Sequence, residues 1–234
     1  MILQSSRVAN SLDRHTTRVP SQDNANLMVE ALSRALAARD GSTHEHSQRV
    51  QRYALALARE IGITDALTSD AIWNGALLHD IGKLGIPDDL LRKPGPLTKE
   101  EYDQVKQHVV IGADILSAVS FPAPLALIVR HHHENWDGTG YPDGLRGEGI
   151  PLGARVLAIV DCYDALISDR PYRRALSHGC AVAMIHDGRS TLYDATIVDA
   201  FLGIVQRLRS GSAKEAGGRP QTRVSSRWLH ARAV

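Results

Sequence analysis

Residues 130–142 read RHHHENWDGTGYP, three imidazoles and a carboxylate set directly before a turn rich in glycine. Upstream, Leu125, Ile128, Val129 and His132 recur at i, i+3, i+4 and i+7, which predicts a helix opening after Pro124 with His132 on its apolar face. That helix ends at DGTGYPDG, because Gly138, Gly140, Pro142 and Gly144 cannot sustain it. On a helix the neighbours His132 and His133 project about 100 degrees apart, so both can reach one ion from adjacent sides. A histidine turned toward a core needs partners, and they must come from elsewhere in the chain.

Working outward, the same period recurs in almost every segment. A first helix starts near Asp23, with Met28, Ala31, Leu32, Ala35 and Leu36 on one face. A second covers about 45–61, aligning His46 with Val50, Tyr53, Ala54 and Leu57, and Gly62 offers a left-handed cap. A third, about 70–81, aligns Ile72, Ala76, His79 and Asp80. Thr98 and Glu101 form a capping box that opens a helix carrying Val105, His108, Val109, Gly112 and Leu116. A helix over about 152–166 places Leu157, Asp161 and Asp164 together, and two more follow over 179–187 and 195–208, the latter capped by Asp194. No run of alternating strands appears, so the expected fold class is all-α, a helical bundle with a loop extension. Residues 1–22 read as a flexible leader, 23–208 as one domain and 209–234 as a basic, disordered tail.

Bulk composition narrows the function. Lys+Arg 27 against Asp+Glu 26 leaves a net charge of +1 across 234 residues, which argues against a nucleic-acid binder. Cys162 and Cys180 have no CxxC spacing, and the amino-terminal residues lack an apolar signal core. No stretch reaches the roughly 18 apolar residues of a membrane helix. A cytoplasmic protein without membrane contact is expected.

Five predicted helices therefore turn His or Asp onto apolar faces. Satisfying each separately costs a few kcal/mol apiece, against a total stability of about 5–15 kcal/mol. One shared cation site removes that conflict. Imidazole and carboxylate donors without thiolates suit iron or manganese, with zinc also admitted, better than calcium. His46, His79, Asp80, His108, His132, His133 and Asp161 exceed the needs of one ion, so two divalent transition-metal ions are the economical reading. Asp80 is the natural bridge between them, and water between paired ions is acidified enough to attack phosphorus.

HDIGKLGIPDDLL (79–91), HHENWDGTGYP (132–142) and DCYDALISDRPYR (161–173), together with HSQRV at His46 and KPGPLT from Lys93, resemble the HD-GYP family of the HD metallohydrolase superfamily. The resemblance runs from about Val29 to Phe201. It implies an all-helical phosphodiesterase that hydrolyses the bacterial second messenger cyclic di-GMP to linear pGpG, and sometimes onward to GMP. Carried over by position, His46, His79, Asp80 and Asp161 would hold one ion, and Asp80, His108, His132 and His133 the other. Lys83 would contact the scissile phosphate, so Asp80 and Lys83 stand as the catalytic pair. Tyr141 would stack on guanine, and Arg170 and Arg173 would grip phosphate or the guanine edge.

The family's three-metal members carry a glutamate where this chain has Ser42, so two ions are expected. His44 and His131 are extra, and Glu134 and Asp164 are expected to orient ligands. The Gly140-Tyr141-Pro142 loop is the expected docking lip for a diguanylate cyclase or other regulatory partner, and a homodimer through the first helix stays open. The short leader would leave no room for an attached sensor domain. Rival readings are a phosphohydrolase for mononucleotides, alarmones or mixed cyclic dinucleotides, and a catalytically silent binding module.

Overall fold

The computed structural model describes residues 22–39, 41–119, 121, 124–169 and 173–212, without the side chains of 22, 23, 41–43 and 209–212. The expected leader and tail fall outside these residues except at their inner edges, as do Arg170 and the Ser42 side chain. The described chain forms α1 (Gln22–Arg39), α2 (Gly41–Glu60), α3 (Ala66–Leu78), α4 (Asp88–Leu91) and α5 (Lys99–Val105). It continues through α6 (His108–Ser117), α7 (Leu125–His131), α8 (Leu152–Ile167), α9 (His178–Asp187) and α10 (Ala195–Ser212). Among the described residues there is no strand, an isolated bridge joins Arg189 and Tyr193, and the all-helical expectation holds.

Local chemistry sets the helix ends. Asp65 accepts from the Thr68 amide at 2.7 Å to start α3. Thr98 and Glu101 form the expected capping box at α5, with the Thr98 amide donating to Glu101 at 2.7 Å. Gly62, at φ +87°, closes the turn after α2.

Four expectations are corrected. The predicted 98–116 helix is two helices, α5 and α6, separated at Lys106 and Gln107. The third helix stops at Leu78, so His79 and Asp80 lie beyond it and lead into a 3-10 turn over Ile81–Gly85. α7 ends at His131, so His132 and His133 occupy a turn rather than successive helical positions. On α1 the buried face is Ala25, Val29, Ser33 and Leu36 with Leu32 half-buried, while Met28, Ala31 and Ala35 are exposed. Both stripes have helical spacing, and α1 buries only the one that meets α2, α3 and the 3-10 turn.

The apolar interior has separate parts. The largest unites α2, α3, α8, α9 and α10 through residues such as Tyr53, Leu57, Ile159, Tyr163 and Phe201. A second joins α1, the 3-10 turn, α6 and α7 through Val29, Leu36, Leu78, Ile81, Leu116 and Val129. A small third holds Ile86, Leu90 and Val105. Each large side chain buried this way is worth roughly 1.5–3 kcal/mol. Asp161 sits between Val160 and Cys162 of the first cluster, His79 and Asp80 between Leu78 and Ile81 of the second. The polar site thus lies where separate apolar clusters meet.

Candidate metal centre

Three of the histidines share one device. Each stands just past a helix end and donates its Nδ1 hydrogen to the carbonyl three residues back: His79 to Ala76 at 2.9 Å, His108 to Val105 at 2.8 Å, and His132 to Val129 at 2.7 Å. The terminal carbonyls of α3, α5 and α7 have no helical donor, so these bonds satisfy them and fix the tautomer. The Nε2 lone pair of each ring then points inward. His108 Nε2 and His132 Nε2 are buried without a hydrogen-bond partner, the condition expected of ligand atoms awaiting a cation.

The structure gathers the seven predicted ligands into two triads and a bridge. His46, His79 and Asp161 form one set and His108, His132 and His133 the other, each with donor atoms within 4.8 Å of one another. Every member is buried. The His79 and His132 ring centroids are 5.3 Å apart, so the sets adjoin. Asp80 stands between them: its Oδ2 is 3.4 Å from His79 Nε2 and its Oδ1 is 3.7 Å from His108 Nε2. Lys83, from the 3-10 turn, donates to Asp80 Oδ2 at 2.9 Å.

α2 and α8 hold the first set together. His46 Nε2 lies 3.1 Å from Asp161 Oδ1, and its Nδ1 meets Asp164 Oδ2 at 2.6 Å. Asp164, one turn after Asp161, also accepts from Arg49 at 2.7 and 3.0 Å and so orients the ring as expected. Arg49 was not anticipated; its partner is 115 positions away. Arg39 was missed too. Its guanidinium donates to the carbonyls of Lys83, Leu84 and Ile86 and to Asp88, tying α1 to the turn that presents Lys83.

Electrostatics follow the geometry. Burial depresses His46, but the Asp161 and Asp164 carboxylates outweigh it and lift the ring to about 9. Burial, with like charge from its neighbours, lowers His108 to about 4 and His132 to about 3. Burial opposes ionisation of Asp80, yet Lys83, His79 and His108 hold it well below the carboxylate range. Asp161 is held down in the same way, against its burial, by His46 and His79. Without a cation, the proton on His46 balances Asp161. Cation binding would release it.

The donor set fits the implied ions: imidazoles, three of them with the tautomer fixed by a backbone carbonyl, ionised carboxylates and no thiolate. Glu134 is buried and accepts the Asp143 amide at 2.8 Å. It belongs to a separate His131, Glu134 and Asp143 group, in which Asp143 is bound by Arg130 at 2.8 Å through two donors. His44 bonds Gln48 on α2 rather than a centre residue. Arg173 donates to the carbonyls of Ala165 and Leu166 at the end of α8. Tyr141 stacks on His133, ring centroids 4.9 Å apart and planes 29° from parallel.

Helices around His and Asp clusters that could hold metal ions define the class of protein. The chain belongs to the HD domain family, which it matches over residues 30–197. It is 41% identical over 193 residues to a cyclic di-GMP phosphodiesterase of Vibrio cholerae serotype O1, covering 76% of this chain and 39% of that protein. It is 43% identical over 176 residues to the cyclic di-GMP phosphodiesterase response regulator RpfG of Xanthomonas campestris pv. campestris, covering 74% and 46%. It thus spans less than half the length of either relative. Among solved structures, a HDG"Y"P protein from Bdellovibrio bacteriovorus shares the fold at a TM-score of 0.61 and 21% identity, covering 79% of this chain and 64% of that one. The HD domain of the phosphodiesterase PgpH from L. monocytogenes, solved with cyclic-di-AMP, gives 0.57 at 20% identity, covering 80% and 100%. No helix among the described residues is long and apolar enough to cross a membrane.

Proposed function

We propose that the chain is a cytoplasmic, metal-dependent phosphodiesterase that hydrolyses cyclic di-GMP to pGpG, with GMP as a further product. The carrying observation is Asp80, whose two oxygens face different histidine sets. His46, His79 and Asp161 would hold one ion and His108, His132 and His133 the other, with Asp80 shared. Two iron or manganese ions would supply Lewis-acid charge and an acidified water. The relatives named for cyclic di-GMP support the substrate.

The chain's own groups do the rest. Lys83, already against Asp80, presents an ammonium that neutralises charge growing on the phosphoryl oxygens. Asp164 and the carbonyls of Ala76, Val105 and Val129 keep the imidazoles in one orientation through turnover. Arg170 and Arg173 are the proposed grips on phosphate or guanine, and Arg173 would exchange its α8 carbonyl bonds to reach them. The Gly-Tyr-Pro loop is the proposed meeting place for a diguanylate cyclase.

The test is to load the protein anaerobically with manganese, incubate it with cyclic di-GMP and resolve the products over time. Accumulation of pGpG is expected, together with about two ions per chain. His79→Ala combined with Asp80→Ala should abolish turnover and tight metal binding, and unaltered hydrolysis by that variant would refute the site. Parallel incubation with 3'3'-cGAMP matters because relatives specific for it match at 36–40% identity; exclusive cleavage of the mixed dinucleotide would replace the substrate while keeping the chemistry.

A further inference from the structure

The loop after α7 is laid directly on the segment that carries His133. The Tyr141 amide donates to the His133 carbonyl at 3.2 Å. The Asp143 amide donates to Glu134 Oε1 at 2.8 Å, and Arg130 grips the Asp143 carboxylate through Nε and Nη2. A Cβ on Gly140 would come within 2.2 Å of the Asn135 nitrogen and 2.5 Å of Glu134 Cα, so only glycine allows this approach. Gly138, at φ +83°, supplies the reversal that brings the chain back. The contacts flank Tyr141 on both sides in sequence and fix the backbone that carries its ring.

The Tyr141 ring covers one face of His133. Lys106, two residues before His108, approaches the same tyrosine with Nζ 5.6 Å from the ring centre. His79, His108 and His132 are oriented by a carbonyl three residues back, and His46 by Asp164. At His133 the loop adds an aromatic face, that of Tyr141.

We propose that Tyr141 is a positioning residue for His133: its ring fixes the imidazole plane, and the Glu134 and Arg130–Asp143 contacts hold Tyr141 in place. Base stacking by Tyr141, expected from the sequence, would have to use the ring face turned away from His133. The role presupposes that His133 ligates the second ion, so the test reads metal binding without substrate. The whole chain, stripped of metal, is titrated with Mn²⁺ by calorimetry, comparing wild type with Tyr141→Phe, Tyr141→Leu and Tyr141→Ala.

Tyr141→Ala and Tyr141→Leu should weaken one of two Mn²⁺ sites by about 10- to 100-fold and leave the other unchanged, while Tyr141→Phe stays near wild type. Loosening the clasp with Asp143→Asn should weaken the same site to a smaller extent. In turnover, kcat should fall in the Ala and Leu variants with KM unchanged. Should the alanine variant fail to fold, the leucine variant, of similar bulk but without an aromatic face, decides. Unchanged Mn²⁺ affinities in a folded Leu or Ala variant overturn the proposal, whether or not KM rises. A wild-type protein with only one Mn²⁺ site overturns it as well. A protein that binds two ions but leaves cyclic di-GMP intact would refute the substrate and spare the role of Tyr141.

Discussion

At the scale of single residues, the site depends on groups that never touch an ion. Asp164 is fully buried and bonds His46 at 2.6 Å while holding Arg49 through two donors. Asp164→Asn keeps the volume but removes the charge and one acceptor, so Arg49 loses half its grip and His46 its firm anchor. Metal affinity at the His46 set should fall by about 10- to 100-fold, and stability by about 1–3 kcal/mol, the usual cost of spoiling a charged hydrogen bond. Manganese titration and thermal unfolding of the stripped protein check the two parts separately. Lost stability with unchanged affinity would make Asp164 a packing residue with no hold on the ligand. The sequence pointed to Asp164 because it lies one turn from Asp161. It was silent on Arg49 and Arg39, ordinary surface arginines by local pattern, whose partners are 115 and 44 positions away.

At the scale of elements, the 3-10 turn over Ile81–Gly85 packs tightly against α6. Gly82 packs against α6 so closely that a Cβ would lie 1.8 Å from the His108 carbonyl oxygen and 2.5 Å from the Gly112 nitrogen, both backbone atoms that cannot rotate away. Gly82→Ala must push the turn and α6 apart, at a cost of about 3 kcal/mol or more. Because Asp80 and Lys83 flank Gly82 and His108 heads α6, activity should fall well beyond what the loss of stability alone removes. A folded Gly82→Ala protein with normal turnover would show that this joint does not set the site. Helix α2 was legible because its apolar stripe has one phase, and α8 because its apolar residues form one long run after Pro151 that is buried on nearly every side. The α5–α6 break was not, because the helical pattern runs through it: the interruption is set by the His108 bond to Val105 and the packing of Gly112 against Val129. The ends of α3 and α7 were hidden for a related reason. Each histidine bonds a terminal carbonyl just beyond its helix, so the periodic signal outlasts the helix itself.

At the scale of the whole molecule, the buried imidazoles tie folding to pH, and they pull in opposite directions. In the metal-stripped protein His108 and His132 titrate near 4 and near 3, below the roughly 6.5 of an unfolded histidine. Below about pH 6.5 the unfolded chain takes up protons that the folded chain refuses, so stability falls on acidification toward pH 4. His46 titrates near 9, above its unfolded value. Its contribution is complete below about pH 6.5 and is lost as pH rises toward 9. The buried aspartates, held below their usual range, weaken the fold only under about pH 4 and do not mask either limb. The stripped protein should therefore be most stable near pH 6.5, each group contributing a slope of up to about 1.4 kcal/mol per pH unit on its own side. Thermal midpoints in chelator at pH 5, 6.5 and 9 test this, with His132→Gln expected to flatten the acid limb and His46→Gln the alkaline one. A midpoint rising steadily from pH 5 to 9 would exclude the His46 ion pairs, and a flat acid limb would exclude neutral, buried His108 and His132. The same asymmetry follows from the architecture: His46 faces two carboxylates across the α2–α8 seam, whereas the rings beside His108 and His132 are other imidazoles, an arrangement suited to a cation.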